Sequence, residues 1–423
     1  MIAARSLELE AGLLPDGTAD GLAAELGRLV EREPAAHASL VAASVPIAHV
    51  DPIAAFGAYL DAGLAPVLWL QPTARCAFVG VGGALRVDLD GPDRFVRAAE
   101  FREHVARGAR IGGPAAGLGA GPILLGGGTF APRPSLDRIW RGLDRGHFAV
   151  PRLLLELRGD RCLLTGTVAG GADRHDDVRE MTSLVRRLER FGARLVADRG
   201  PARLDVSARV PDRAAWASSV ARGAGAVGRG RLDKVVLARR VDLVSEETLD
   251  IPAILRRLEA GAPAATIFAI STPDGGAFLG ATPERLVETR GRTFRTIALA
   301  GTRGRGADDA EDDRLGEELL ASEKDREEHQ VVVTMLRETL GPLADELQIA
   351  PRPHVVRLRT VQHLATEISG TVREGTNLLA LVEALHPTPA VGGWPSELAL
   401  DLIDEQEHLD RGWYAGPVGW LGL

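Results

Sequence analysis

Apolar residues along this chain fall into short runs punctuated by Gly, Pro and Asp, a pattern of many strands with fewer helices. ASLVAASVPI (38–47), PVLWLQP and CAFVGVGGALRVDL read as strands. DPIAAFGAYLDAG (51–63) carries an Asp cap, a Pro at the first helical position and a Gly stop, which mark a helix. PDRFVRAAEFREHVARG reads as a second helix. PRLLLELRGDRCLLTGTV reads as a hairpin turning at Gly159-Asp160. The stretch up to about residue 35 is Ala/Leu/Glu-rich and poorly patterned, whereas 173–200 is charged and helical. A helix with a Pro near its start follows in VPDRAAWASSVARGAGAVGRG, from 209. Strands are expected at DKVVLARRVDLV, ATIFAIST, GAFLGAT, RLVETRG and RTFRTIAL, then one long helix from about Leu315 to Leu340.

Strands and helices in uneven blocks predict an α+β fold, with large, mostly antiparallel sheets and helices packed outside. Regular strand–helix alternation is absent, which disfavours a Rossmann or barrel fold, and no internal repeat is visible. The triple glycine at 126–128 lacks the Gly-Lys-Ser/Thr ending of a phosphate loop and any dinucleotide fingerprint.

Composition narrows the function classes. The 423 residues are 45% hydrophobic and 26% charged, ordinary for a soluble globular protein. A net charge of −8 argues against nucleic acid as partner. No apolar run reaches the roughly 18 residues of a membrane span, and the N-terminus lacks a signal-peptide pattern. Cys76 and Cys162 are isolated, without metal spacing, so a reducing cytoplasm is the expected location and both read as small core residues.

Of the 50 basic residues only Lys234 and Lys324 are lysines. Arginine stays protonated, whereas a desolvated lysine can lose its proton and act as a base. In DKVVLARRV both strand faces are apolar, which predicts a buried strand. Burial of Lys234 there would favour the neutral amine, the form a general base needs. A strand-start lysine snorkelling to solvent is the equal alternative. In FLGATPERLVE, Glu284 follows an apolar strand at a turn, where side chains line clefts or simply face water. In LLASEKDREEHQVVVTML, Glu328, Val331, Val332 and Met335 form one helical stripe, with Asp325 one turn earlier. Two carboxylates at that spacing suit an oxygen-liganded cation such as Mg²⁺. A helix-surface pair between Lys324 and Glu328 explains the glutamate equally well, and His329 reads as structural. VQHLATEISG (361–370) is a strand ending in a glycine, where backbone can approach a ligand closely. ALHPTPAVGG (384–393) is a rigid loop rather than a linker.

These segments together resemble the chorismate-utilising enzymes, and specifically the isochorismate synthases. The matching strings are KVVLAR (234–239), FLGATPERL (278–286), ALAGTRGRG (298–306), SEKDREEHQVVV (322–333), VQHLATEISG, HPTPAVGGWP (386–395) and DRGWYAGPVGW (410–420). Weaker similarity reaches back through GGGTFAP. The resemblance implies a sheet scaffold in 1–205 and a catalytic half in 206–423. It implies that Lys234 activates water for attack on C2 of chorismate and that Glu284 protonates the departing C4 hydroxyl. Glu328 matches a Mg²⁺ ligand and Asp325 an acidic position supporting the metal. His363 and Gly370, with Thr388 and Ala390, match substrate-binding positions.

Sister enzymes that use ammonia typically lack the lysine at position 234, and one group carries a lysine nucleophile where this chain has Ala300. Salicylate synthases share Lys234 and Glu284 but differ around HPTPAVGG, and remain the alternative activity. The chain stops at Leu423 within an apolar run, where the family continues with a further strand pair and a helix bearing a second metal glutamate. The expectation is therefore a C-terminally truncated copy, with weakened metal and carboxylate binding and an exposed sheet edge. An inert fragment is then a third reading. Monomer and homodimer both remain open.

Overall fold

The computed structural model describes residues 14–32, 39–116, 121–171, 173–190 and 202–423. The first thirteen residues, and the expected helical run beyond residue 190, lie outside the described residues. The described chain is α+β, with an eight-stranded, a five-stranded and a four-stranded sheet and two short two-stranded ribbons. All strand pairs are antiparallel except that between Leu40–Ile47 and Ala109–Gly112.

The eight-stranded sheet runs in the order Ala277–Thr282, Thr266–Ser271, Pro66–Gln71, Cys76–Val81, Leu153–Arg158, Arg161–Ala169, Leu40–Ile47, Ala109–Gly112. Its apolar runs are continuous because both faces are covered. Leu153, Leu155 and Leu157 point into a core shared with the helices Thr18–Arg32 and Pro52–Asp61, whereas Leu154 packs with Phe78, Ile123 and Leu125 toward the four-stranded sheet. This is the period of two that a strand imposes on its side chains. The hairpin turns where expected, with Arg158 paired to Arg161 across Gly159 and Asp160. Asp51 caps the Pro52–Asp61 helix by accepting from the Ala54 N–H at 2.7 Å. The sequence halves 1–205 and 206–423 share this sheet, since Thr266–Ser271 pairs directly with Pro66–Gln71.

The five-stranded sheet is built on the long pair Thr293–Gly304 and Val361–Val372. The helices Glu323–Leu340 and Leu378–Leu385 close a core around Phe294, Ala298, Val332, Leu336 and Ile368. Two expected elements differ. The single long helix is two helices, Asp309–Ala321 and Glu323–Leu340, with Ser322 ending the first and capping the second through its side chain. Its hydroxyl accepts from the Asp325 N–H at 3.3 Å, the arrangement that a Ser-x-x-acid string favours. The single strand over DKVVLARRVDLV is two, Lys234–Val235 and Arg240–Val244, in different sheets. Between them the Ala238 N–H leaves the ladder and donates to the Glu407 carboxylate at 2.6 Å.

Among the described residues no helix is long and apolar enough to cross a membrane. Cys76 and Cys162 are both free thiols, the latter buried. Ser322→Ala is expected to cost about 1 kcal/mol of stability, measured by denaturant unfolding, because it removes the cap on which the Asp325 turn is built.

Candidate active site

Lys234 heads a two-pair ribbon with Gly393–Trp394, in the register Lys234↔Trp394 and Val235↔Gly393. The side chain is 21% exposed, so it is neither fully buried nor free in solvent. Its Nζ donates to Glu328 Oε1 at 3.1 Å. Of the two readings of Glu328, the surface pair with Lys324 is not the one seen: Lys324 is exposed, and Glu328 takes the distant Lys234 as its partner. The apolar stripe of the Glu323–Leu340 helix explains this geometry. Val332, Val333, Met335, Leu336 and Leu340 are buried, with His329 among them, which leaves Glu328 at the margin of the buried face. His329 is structural in its contacts, with Nε2 bonded to the Thr366 hydroxyl at 2.7 Å.

Asp325, one turn before Glu328, is largely covered, its side chain 15% exposed. The Arg303 guanidinium approaches it to 3.9 Å and pairs more closely with Glu318 at 2.6 Å. Gly301 backs onto Asp325, so closely that a Cβ there would come within 3.2 Å of the aspartate Cβ. The register of the long strand pair shifts between Ala300 and Thr302. That irregularity brings Thr302 to His363, with Oγ1 2.9 Å from Nδ1, and the same nitrogen donates to the Gly301 carbonyl at 3.2 Å. Gly301 and Thr302 join the site from ALAGTRGRG, where no titratable side chain announced them.

Glu284 follows the strand Ala277–Thr282, and its backbone N–H donates to Thr282 Oγ1 at 3.2 Å. Thr388 donates its hydroxyl to Glu284 Oε1 at 3.1 Å. Burial pushes the Glu284 carboxyl above its ordinary value, against the smaller opposing pulls of the Thr388 hydrogen bond and the Lys234 charge. Ala390 shares a small pocket with Glu284 and Thr388, closed by Leu299, Val332 and Leu336. A second, large cavity of about 1080 Å³ has Glu284, Thr388 and Val391 in its wall, together with Phe95, Leu286 and Trp420, but not Lys234, Glu328 or His363. Glu284 therefore lines the cavity while also feeling the Lys234 charge.

The contacts make two groups, Lys234 with Glu328, Asp325 and, through Gly301, His363 in one, and Glu284 with Thr388 and Ala390 in the other, and the Lys234 charge is felt at Glu284. Gly370 belongs to neither. It lies seven residues beyond His363 on one extended strand, about 23 Å away at the usual rise. A Cβ at Gly370 would sit 2.2 Å from the Glu346 carbonyl and 2.7 Å from the Phe294 ring, so packing of the sheet accounts for the glycine.

Asp325 and Glu328 are the acidic pair available to a cation, and among the described residues no group of three or more His, Cys, Asp or Glu could hold a metal. Two carboxylates suit Mg²⁺, which keeps several waters and completes its shell with substrate oxygens. They do not suit an ion that requires a cage made wholly of protein. Chemically, the cluster offers a lysine beside a carboxylate and a separate carboxyl that burial pushes above its ordinary value.

The family described as "Chorismate binding enzyme" matches residues 26–423. The chain is 38% identical over 389 residues to the salicylate biosynthesis isochorismate synthase of Pseudomonas aeruginosa, covering 90% of this chain and 79% of that one. It is 32% identical over 401 residues to the isochorismate synthase MenF of Bacillus subtilis, covering 91% and 82%. The structure of the menaquinone-specific isochorismate synthase MenF from Escherichia coli superposes with a TM-score of 0.76 at 25% identity, over 95% of this chain and 87% of that one. Anthranilate synthase component I of Streptococcus pneumoniae, at 19% identity and a TM-score of 0.63, shares the fold. With the match running from residue 26 to the last residue, through both halves of the shared sheet and every segment of the site, this chain belongs to the chorismate-binding enzymes.

Proposed function

We propose that the protein is an isochorismate synthase, adding water at C2 of chorismate and expelling the C4 hydroxyl. The observation that carries this is the separation of two opposite proton-transfer groups into different environments. Lys234 is polar-partnered through Glu328, while Glu284 is withdrawn from water and retains its proton more readily than an ordinary glutamate. An allylic exchange of hydroxyl for water needs such a division, a base for the entering water and an acid for the departing hydroxyl. Two of the matched relatives carry the isochorismate synthase name over most of this chain.

In this reading Lys234, as free amine, takes a proton from the attacking water. Glu284 gives its proton to the leaving oxygen, with the Thr388 hydroxyl fixing the orientation of the carboxyl. His363 and Thr302 are bonded to each other beside Gly301, which backs onto Asp325. Mg²⁺ fits the Glu328 and Asp325 pair, and when bound it supplies a positive charge for a substrate carboxylate.

Incubation of the purified protein with chorismate and Mg²⁺, with products separated chromatographically, tests the activity. Isochorismate as the product supports it, salicylate would move the assignment to the alternative reaction, and unchanged chorismate would overturn it. Lys234→Arg is expected to lose at least ~100-fold in kcat, because arginine keeps its proton; a steady-state assay showing near-parental turnover would remove the lysine from the base role.

Glu284→Gln has two separable outcomes. Loss of the acid is expected to lower kcat by about 10²–10⁴-fold. Stability should move the other way. Because burial raises the folded-state value, folding favours the protonated form, and stability falls as pH rises from the ordinary glutamate range through the raised value. The neutral amide escapes that loss. The variant should therefore melt higher than the parent at pH 7, with the difference shrinking as pH falls toward the ordinary glutamate range. Calorimetry at several pH values reads it.

A further inference from the structure

Base and acid sit on different segments of the chain. Lys234 is on the short ribbon, and Glu284 takes its orientation from Thr388 in the 386–392 loop. One buried side chain reaches both segments. Arg411 Nη2 donates to the Val236 carbonyl at 2.7 Å, two residues past Lys234. Its Nη1 donates to the Val391 carbonyl at 2.7 Å. The Val391 and Gly392 N–H groups then donate to the Thr388 carbonyl at 3.1 and 2.9 Å, and the Thr388 side chain ends on Glu284.

Glu407 completes the arrangement. Its carboxylate accepts from Arg411 Nε at 2.8 Å and from Arg411 Nη2, and it also accepts from the Ala238 N–H at 2.6 Å. The two side chains are 3% and 2% exposed. The Phe130 ring lies 4.2 Å from the guanidinium carbon. No part of the pair contacts Lys234 or Glu284 directly. Every polar group it engages is nonetheless backbone of the segments that carry the base and the partner of the acid.

A buried ion pair is a costly way to join two loops. Apolar residues of similar volume often give equal or greater stability. What a planar guanidinium adds is direction, since its donors leave in a fixed fork and hold two carbonyls at a set separation. We infer that Arg411, locked by Glu407, is a positioning residue that fixes the placement of Lys234 relative to Glu284. The roles it serves rest on the isochorismate synthase reading, but the geometry it imposes does not.

The test exploits the chain's two lysines. Reductive methylation with formaldehyde and cyanoborohydride, followed by peptide mass mapping, reports Lys234 against Lys324 as an internal reference. The variant is Arg411→Met combined with Glu407→Leu, which leaves no uncompensated buried charge. Near-ultraviolet circular dichroism first establishes that it is folded. The Lys234:Lys324 labelling ratio is then expected to rise about fivefold, as the ribbon loses its anchor and opens locally. With chorismate, kcat is expected to fall about 100-fold while KM stays within about threefold, the signature of a displaced reacting group.

A labelling ratio within about twofold of the parent, or a kcat within about threefold of it, in the folded variant would overturn the inference. Should the double variant not fold, Glu407→Gln keeps an acceptor for the Ala238 N–H and carries the same test. It should give the same direction on both readouts, with kcat lower by about tenfold, and parental values of either would again overturn the inference. Absence of turnover in the parent protein would count against the isochorismate synthase reading alone, and the labelling ratio would still decide the role of the clamp.

Discussion

Lys234 is held in a ladder only two residue pairs long, and that ladder exists because two backbones approach more closely than side chains allow. Gly393 has φ near +154°, and a Cβ there would lie 2.3 Å from the Lys234 carbonyl and 2.6 Å from the Ala399 side chain. Only glycine satisfies both conditions. The rest of the site is arranged around the point this contact defines. The Glu323–Leu340 helix brings Glu328 to the amine, the register shift after Ala300 brings Thr302 to His363, and the loop after His386 brings Thr388 to Glu284. None of these partners is on the same element as the group it serves.

The two groups are held by different physics. Glu284 is set by removal from water, a property of its surroundings as a whole. The Lys234 side chain is held in place by one partner, a carboxylate at 3.1 Å on another element. The first arrangement resists small displacements, since burial changes little over a fraction of an ångström. The second is sensitive to them, because a hydrogen bond weakens steeply with distance and angle. A structure that must hold the lysine accurately has reason to anchor its backbone on both sides, at Gly393 and at Val236.

Much of the fold was legible because its strands obey a simple rule. Runs such as LLLEL are apolar on both faces, and both faces are covered. The hairpin at Gly159-Asp160 and the capped helix after Asp51 follow from local chemistry alone. What escaped the sequence was decided by contacts between distant residues. The strand predicted across 234–244 breaks because the Ala238 N–H finds a carboxylate 169 positions away. Glu328 had a lysine four residues before it and another 94 residues before it, and periodicity has no means of choosing between them. Gly370 carried the mark of a close backbone approach, and the close neighbours are the Glu346 carbonyl and the Phe294 ring across the sheet. The break at Ser322 is different, since its Ser-x-x-Asp signal was present and was outweighed by a long helical pattern. The grouping of the site residues came from the ordered motifs, which no single segment could have supplied.

The eight-stranded sheet places Thr266–Ser271 directly beside Pro66–Gln71, and its core joins Leu68 and Leu70 to Leu255, Ile267 and Ala269. A chain emerging from the ribosome delivers the first of these strands long before the second. From residue 71 to residue 271 the chain advances 200 positions, which take on the order of 10–40 s to translate at typical rates. Throughout that interval the early strands have an unpaired edge and an unfilled core, and cannot close by themselves. The nascent protein thus waits for its own later half, and its yield in a cell should depend on holding chaperones and elongation rate more than on the stability of the finished fold.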